Sequence, residues 1–398
     1  MQEQSIKWKV LFGGFFSYMF DAMDIMLLAL SIPAIMKELN ISMSEAGLLG
    51  TATLIGVGLS SIIVGWYADN YGRRKALLWS LISFGILTAF IGLASSWLQI
   101  LILRFLAGLG LGGVWGIAAA YIAETWPINQ RGRAAAFVLS SFPVGAGIAS
   151  FLAAVILPSY GWRVLFFTGS ASILAALYVY ICVPESKAWK EERAARLSKK
   201  DEPENVSISE IFAPELLKTT ILATVVSSCA FIAYWGSTTW LPTFLVKEKG
   251  LSMETMAMFM LILNVGMFFG YNLFGYLADK LGRKKALIIS FVGTTVTLPI
   301  YVMATDKTMI LWLGPAYAFF ITFAGLFGSY FAELFPTRIR TLGAGFCFNI
   351  GRGVSAFAPF LLGAVAAKYS LSTGIIICAV FFLLAGLAMV FLPETQKK

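Results

Sequence analysis

Long apolar runs separated by short polar stretches make up most of the chain. Each run approaches or exceeds the roughly 20 residues that a helix needs to cross a bilayer. Such runs predict membrane-spanning helices, because a helix pairs its own backbone polar groups where no water is present. The twelve predicted spans are 9–36, 44–68, 76–95, 97–122, 134–157, 162–183, 216–245, 253–277, 285–304, 308–332, 341–367 and 372–392.

Composition and charge agree with this pattern. Hydrophobic residues make up 59% of the 398 residues and charged residues only 13%, against roughly 25% charged in soluble domains. An ordinary soluble enzyme is therefore excluded. Of the 30 basic residues, 22 fall on the side of the predicted spans that carries both termini, and 6 fall on the other side. Lys and Arg accumulate on the cytoplasmic side, so we expect a cell-membrane protein with both termini inside.

The chain also contains an internal repeat. The segment 65–75 is matched by 275–285, with Gly, Asp, Gly and basic residues in the same places. The Ala-Glu-x-x-Pro block at 123–127 recurs 209 residues later, and the Pro-Glu-Ser block at 184–186 returns at the same offset as Pro-Glu-Thr. Repeated halves are typical of transporters. The pattern predicts an N-terminal six-helix bundle (1–183), a charged cytoplasmic linker (184–215) and a C-terminal six-helix bundle (216–398).

The two repeated loops resemble the signature of the major facilitator superfamily. The segment from Arg104 to Gly113 is similar to that superfamily's fourth-helix motif, and the likeness covers essentially the whole chain. The resemblance implies an all-α membrane protein with twelve transmembrane helices in two six-helix pseudo-repeats, the major facilitator fold. It also implies a secondary transporter that works by alternating access, and not an enzyme.

An acidic pair in the first span points to particular subgroups of this superfamily. Asp21 and Asp24 resemble the acidic pair of aromatic-acid:proton symporters and bacterial niacin transporters. The aromatic-acid branch usually has Gly after the first Asp, where this chain has Ala22.

The loop motif has two interpretations. As a cytoplasmic latch, its carboxylates pair with the basic cluster or lie near a helix N-terminus and separate during gating. Alternatively, its charges only set topology, around tight turns at the glycines. The gating candidates are Gly65, Asp69, Gly72, Arg73, Arg74, Gly275, Asp279, Gly282, Arg283 and Lys284.

Charged residues inside the spans are the strongest functional signal. Asp21 lies 12 residues past Lys9, and Arg352 lies 12 past Arg340. At 1.5 Å per residue, both reach roughly 18 Å into a hydrocarbon core of about 30 Å. Arg104, counted from the outer side, reaches the same depth. Charges at this depth are costly and usually mark a transport pathway.

These charges suit proton coupling and anion binding. The chain has no His, so a carboxylate must carry any coupled proton, and Asp21 and Asp24 are the candidates, with Arg104 as partner. Arg352 is the candidate for holding an anionic substrate, since a guanidinium binds a carboxylate bidentately. The alternative is a static Asp21–Arg104 pair that fastens helix 1 to helix 4.

Further residues are candidates for a pocket wall. Aromatic and amide side chains in the spans can stack on or hydrogen-bond a ring-containing substrate, although each alone is also compatible with packing or an interfacial position. The substrate-binding candidates are Arg352, Arg104, Asn349, Tyr234, Trp235, Asn264 and Tyr271.

The function that we expect is proton-coupled symport of a small organic anion, of the aromatic or heteroaromatic monocarboxylate class. The alternatives are a proton-coupled antiporter that exports a cationic or lipophilic compound and a non-transporting sensor on a transporter scaffold. No Walker loop is present, so the expected energy source is the proton gradient, with no cofactor and no metal. The expected partners are the substrate and membrane lipid rather than nucleic acid, and the chain is expected to act as a monomer.

Overall fold

The protein is described here from a computed structural model, which covers residues 2–127, 131–198, 208–336 and 340–395. Within these ranges all regular secondary structure is helical. The α-helices, in chain order, are α1 (Gln2–Leu39), α2 (Met43–Tyr71), α3 (Arg73–Ile91), α4 (Trp97–Leu111), α5 (Val114–Thr125), α6 (Arg131–Leu139), α7 (Ser141–Phe167), α8 (Ser172–Cys182), α9 (Lys187–Ser198), α10 (Pro214–Lys247), α11 (Met253–Leu281), α12 (Arg283–Met303), α13 (Lys307–Phe320), α14 (Ala324–Leu334), α15 (Arg340–Val354), α16 (Ala358–Lys368) and α17 (Leu371–Val390).

Twelve membrane spans follow from these helices. In the part of the chain that the structure describes, 11 helical stretches are long and apolar enough to cross a membrane. One of them, Ala134–Cys182, has 49 residues, more than twice the roughly 20 that one span needs. Its helical path is interrupted at Gly161, which has φ 76° and ψ 177°. This stretch therefore contains two spans, and the predicted all-α fold of twelve spans is confirmed.

Several spans are broken where the sequence pattern predicted continuous helices. The predicted span 97–122 consists of α4 and α5, which are separated at Gly112 and Gly113. A Cβ atom at Gly113 would collide with the Val64 side chain, so the break lies directly against α2. The predicted spans 308–332 and 341–367 are likewise divided, into α13 with α14 and α15 with α16. Apolar run length does not register a break, because the residues on both sides are equally hydrophobic.

The chain forms two compact units. The first comprises Met1–Ile41 and Ala52–Pro203, and the second comprises Ser42–Thr51 and Glu204–Lys398. The first turns of α2 thus group with the second unit, where Gly47 and Gly50 lie against Pro359. Part of the predicted linker is helical, as α9, and residues 199–207 of that linker lie outside the described ranges.

Small residues let α1 pack tightly in the first unit. A Cβ atom at Gly145 in α7 would collide with the carbonyl oxygen of Met19 in α1. Close backbone approach through glycine is a common way for membrane helices to associate. This contact fixes the rotation of α1 about its axis, and with it the direction in which the α1 acids point.

Aromatic rings fill the core of the second unit. Phe323 lies 5.1 to 6.0 Å, centroid to centroid, from rings contributed by α10, α12, α14 and α17. Tilted and edge-to-face arrangements of this kind are favourable for aromatic pairs. The rings around Phe323 are Phe231, Tyr234, Phe291, Phe327 and Phe382.

Candidate functional site

A buried ion pair joins α1 and α4 in the first unit. Nη1 of Arg104 lies 3.0 Å from Oδ2 of Asp24. The arginine side chain is 0% exposed and that of the aspartate 1%. Removing two charges from water is so costly that a buried pair seldom adds net stability over an apolar replacement. The pair is therefore better explained by function than by folding.

Two threonines complete the hydrogen bonding of the pair. Oγ1 of Thr88 in α3 donates to Oδ1 of Asp24, and Nε of Arg104 donates to Oγ1 of Thr53 in α2 over 3.0 Å. Four helices thus converge on one cluster, which we call the Asp24 cluster (Asp24, Thr53, Thr88 and Arg104). Nη2 of Arg104 is buried and has no hydrogen-bond partner among the described residues. An unpartnered guanidinium nitrogen is a ready donor to an anion.

The cluster distinguishes between the two acids of α1. The sequence left the partner of Arg104 open between Asp21 and Asp24, and the structure brings Asp24 to it. Asp21 lies one turn earlier on α1 and is also buried, at 3% exposure. The two acids are therefore on one side of the helix, as their spacing requires, and the ion pair that the structure shows with the guanidinium is that of Asp24.

Sequence reasoning missed Thr53 and Thr88. Thr88 carried a usable signal, because it lies 15 residues past the basic start of α3 at Arg73, and Asp24 lies 15 past Lys9. At 1.5 Å per residue both positions are about 22 Å along their helices. Depth counting applied to hydroxyl residues as well as to charges would have selected it.

The second unit has no charged equivalent of the Asp24 cluster in the part that the structure describes. Gly314 stands 210 residues after Arg104 and packs near the ring of Tyr301. That ring stacks on Tyr317, with centroids 6.1 Å apart. The Tyr317 hydroxyl is 3.1 Å from Oγ of Ser237. An aromatic and hydroxyl cluster thus stands where the first unit has its ion pair.

Arg352 is the predicted anion-binding residue of the second unit. It is half-buried in α15, and its guanidinium forms no ion pair with any described residue. Oγ of Ser355 donates to its backbone carbonyl over 2.7 Å. Asn349, one turn earlier, is exposed. The guanidinium is thus available for an anion.

The other predicted pocket residues lie on two helices of the second unit. Tyr234 and Trp235 in α10 are buried, with ring centroids 5.0 Å apart in an edge-to-face arrangement. Nε1 of Trp235 is buried without a hydrogen-bond partner among the described residues. In α11, Nδ2 of Asn264 donates to its own helix, and Tyr271 is half-buried with its ring against Gly325. The structure brings Tyr234 and Trp235 together on α10, whereas Asn264 and Tyr271 lie on α11.

The first loop motif forms a network of acids and bases. Nη2 of Arg73 lies 3.1 Å from Oε1 of Glu124 at the end of α5. The backbone N–H of Arg74 donates to Glu185 over 3.2 Å. Gly72 has φ 114°, and a Cβ atom there would collide with the Glu185 carboxylate. Glycine is therefore required both for the backbone conformation and for the space.

The second loop motif repeats this network in the second unit. Nη2 of Arg283 lies 2.9 Å from Oε1 of Glu333, and the backbone N–H of Lys284 donates to Glu394 over 3.3 Å. Gly282 has φ 103°, and its Cβ position is taken by Glu394. The four glutamates of the two networks were not among the predicted gating residues, although the repeated Ala-Glu-x-x-Pro and Pro-Glu blocks contained them.

The remaining loop-motif residues have varied surroundings. Gly65 and Gly275 lie inside α2 and α11, where a Cβ atom would meet nothing within 4 Å. Asp279 is exposed at the end of α11. The side chain of Asp69 lies outside the described part of the structure.

A glutamate that recurs in both units joins the first and sixth spans at the end opposite the loop motifs. Oε2 of Glu38 at the end of α1 accepts from Nε1 of Trp162 over 2.7 Å, and Oε1 pairs with Arg163. Glu248, 210 residues later, accepts from the backbone N–H groups of residues 371–372 and from the Ser372 hydroxyl at the start of α17. Each carboxylate links the first and sixth spans of its unit.

The chain resembles known transporters over nearly its whole length. The profile of the Major Facilitator Superfamily matches residues 14–330 and, in a second match, 265–398. The cis,cis-muconate transport protein of Acinetobacter baylyi is 32% identical over 98% of this chain and 95% of its own length. A putative niacin/nicotinamide transporter of Bacillus subtilis is 28% identical over 100% of this chain and 98% of its own. A crystal structure of a D-xylose-proton symporter has a TM-score of 0.78 at 20% identity, covering 99% of both chains.

A twelve-span, two-unit helical fold with buried charge defines a polytopic secondary transporter of the membrane. The chain belongs to the Major Facilitator Superfamily.

Proposed function

We propose that this transporter imports a small organic anion together with a proton, and that the anion is an aromatic or heteroaromatic monocarboxylate. The observation that carries the proposal is the buried Asp24–Arg104 pair, with a contact of 3.0 Å and almost no exposure. A charged group within a membrane span is costly, and such groups mark proton relays and substrate pathways in transporters.

The pair couples a proton to an anion by charge balance. Protonation of Asp24 neutralises it and removes the partner of Arg104. A buried cation without a counter-ion is unfavourable, so a substrate carboxylate then becomes the favoured partner of the guanidinium. Proton and anion therefore bind together, and release of one weakens the other. The unpartnered Nη2 of Arg104 supplies the second donor of a bidentate contact.

In the second unit, Arg352 is proposed as an anion-binding residue in its own right. Its guanidinium has no ion-pair partner among the described residues, which leaves its donors available. Tyr234 and Trp235 supply aromatic surface on which a substrate ring can stack, and the unpartnered Nε1 of Trp235 is a further donor. Asn349, Asn264 and Tyr271 stay candidates for substrate contact in the same unit.

Two relatives support the substrate class. One is named for cis,cis-muconate and the other for niacin or nicotinamide. Niacin is a heteroaromatic monocarboxylate, whereas muconate is an open-chain conjugated dicarboxylate, so its transporter supports only the wider class of small conjugated carboxylates. A guanidinium fork suits a carboxylate through paired hydrogen bonds, and an aromatic side chain suits a conjugated ring through stacking.

The decisive experiment is uptake by the purified chain in proteoliposomes. The panel is radiolabelled nicotinate, benzoate, cis,cis-muconate and, as a non-planar acid, a sialic acid. With the outside acidic, we expect at least one planar carboxylate to accumulate above equilibrium, and a protonophore to abolish the accumulation. Export of a lipophilic cation driven by an inward proton gradient, without uptake of any acid, would replace symport by the antiport alternative.

Substitution of Asp24 tests the coupling step. Asp24→Asn retains the shape and removes the titratable group, so we expect loss of gradient-driven accumulation with some counterflow exchange retained. Asp21→Asn shows whether the neighbouring acid shares this role. Glu254→Gln, an exposed acid at the start of α11, is the matched control and should accumulate substrate normally. Normal accumulation by Asp24→Asn would remove that carboxylate from the mechanism.

Substitution of Arg352 tests the anion contact. Arg352→Lys keeps the charge and loses the planar fork, so the apparent affinity for the transported acid should fall several-fold. An unchanged affinity would assign Arg352 a structural role.

The loop networks are proposed to act as latches on the cytoplasmic side. Arg73 with Glu124, at 12% and 17% exposure, and Arg283 with Glu333, at 23% and 35%, join successive parts of each unit. Exposure to water weakens an ion pair enough for it to break and reform. We place both termini and both networks in the cytoplasm because of the excess of Lys and Arg on that side. We further propose that the protein works in the cell membrane as a monomer.

A further inference from the structure

Thr88 makes a hydrogen bond that an ordinary buried threonine in a membrane helix does not need. Its hydroxyl donates to Oδ1 of Asp24 on a different helix, and its side chain is fully buried. Threonines inside helices usually bond the carbonyl oxygen one turn earlier. Thr294, the comparable buried threonine of α12, does so, with Oγ1 2.8 Å from the Ser290 carbonyl. The Thr88 hydroxyl is instead directed at the buried carboxylate.

The fold makes room for Thr88 at this position. A Cβ atom at Gly169 would overlap Cγ2 of Thr88, so only glycine at that site lets the threonine lie where it does. Gly169 belongs to the 3-10 turn Thr168–Ala171 that interrupts the sixth span. The position 210 residues after Thr88 is Leu298. At the offset that relates the starts of α3 and α12, the second unit has no hydroxyl at this position.

The two oxygens of Asp24 have partners of different chemistry. Oδ2 faces Arg104, which can only donate hydrogen bonds, so a proton on Oδ2 would point at a donor. Oδ1 faces the Thr88 hydroxyl, which can both donate and accept. Among the described residues, Arg104 of α4 is the charged group in contact with Asp24, and Asp21 is the titratable neighbour on the same helix. The helices α3 and α7 contribute no charged contact to this carboxylate.

We propose that Thr88 is a positioning residue for proton coupling and that Oδ1 of Asp24 is the oxygen that takes the proton. In the ionised state the Thr88 hydroxyl donates to Oδ1. When a proton from water adds to Oδ1, the new O–H donates to Oγ1 of Thr88, whose own hydrogen turns to the carbonyl oxygen of Phe84 one turn earlier. Both protonation states keep a hydrogen-bond partner, and no bond other than the O–H bond forms or breaks. This inference rests on the proposed role of Asp24 in proton coupling.

Infrared difference spectroscopy tests the proposal without a transported substrate. The full chain in lipid nanodiscs is stepped from alkaline to acidic pH, and the carbonyl stretch of protonated carboxylic acids is recorded. We expect a buried-acid band in the unmodified chain that Asp24→Asn lacks. Thr88→Val should move that band to higher frequency, because the acid has lost its acceptor. Thr88→Ser should restore the original frequency.

Two further variants distinguish loss of the Thr88 hydroxyl from a general folding defect. Thr88→Cys keeps a weak partner at the same place and should give an intermediate frequency, and Thr294→Val is the matched control that should leave the band unchanged. A band that stays in place in Thr88→Val or in Thr88→Cys, or the absence of any band that depends on Asp24, overturns the proposal.

The infrared result is separable from the proposed transport function. If no panel acid accumulates in proteoliposomes while the band responds to Thr88, the substrate class is wrong and the role of Thr88 stands. If acids accumulate and the band is unchanged by substitution of Thr88, the proposed transport function stands and the role of Thr88 is wrong.

Discussion

The Asp24–Arg104 pair permits a quantitative prediction about stability. Asp24→Asn leaves the Arg104 charge, which is 0% exposed, without a counter-ion. Removing one partner of a buried pair costs about 3–5 kcal/mol. An independent estimate gives a similar figure, because two unit charges about 4 Å apart interact by about 4 kcal/mol at an effective dielectric constant of 20.

A double-mutant cycle isolates this coupling. We expect Asp24→Asn and Arg104→Gln each to destabilise the protein by about 3–5 kcal/mol, which is several degrees or more in the thermal unfolding midpoint. The double variant should lose much less than the sum, because no unpaired charge remains. The assay is thermal and denaturant unfolding of each purified variant in one detergent.

The cycle has an internal control in the same unit. Glu38 and Arg163 also form an ion pair, but their side chains are 47% and 35% exposed. Glu38→Gln should therefore cost less than about 1 kcal/mol. Additive effects of the two buried substitutions, or equal costs for the buried and the exposed pairs, would refute the reasoning from burial.

Three other predictions concern local structure. Gly72→Ala should destabilise the protein by about 1–3 kcal/mol, because the φ of 114° and the nearby Glu185 carboxylate exclude a Cβ atom. Gly116→Ala is the control and should be neutral or slightly stabilising, because a Cβ atom there meets nothing within 4 Å. Equal thermal unfolding midpoints for the two variants would contradict this. Glu248→Gln should speed hydrogen exchange in the first turn of α17, because the neutral amide binds the N-terminal N–H groups of that helix about 0.5–2 kcal/mol more weakly than the carboxylate does. Unchanged exchange there would show that Glu248 does not hold the start of α17. Glu333→Gln should cost at most about 1 kcal/mol in overall stability, while exchange rises near the start of α12, and a large global loss would show that the network is structural.

The sequence alone determined the class of architecture. The length of the apolar runs, the positions of charged residues within them and the 209–210-residue repeat are all visible in the linear sequence, so they can be read without coordinates. They yielded twelve spans, two repeated halves and the small group of intramembrane charges. The loop glycines were predictable as well, because a tight turn before a helix favours a residue that tolerates positive φ.

Only the tertiary structure decided which side chains meet. Depth counting placed Asp21, Arg104 and Arg352 at one depth, but it could not give the rotation of each helix about its axis. That rotation is set by close packing, such as Gly145 in α7 against the backbone of α1, and it brings Asp24 to Arg104. Helix packing also brings Thr88 to Asp24, because the direction in which the Thr88 side chain points depends on the helices around α3 and not on the sequence of α3.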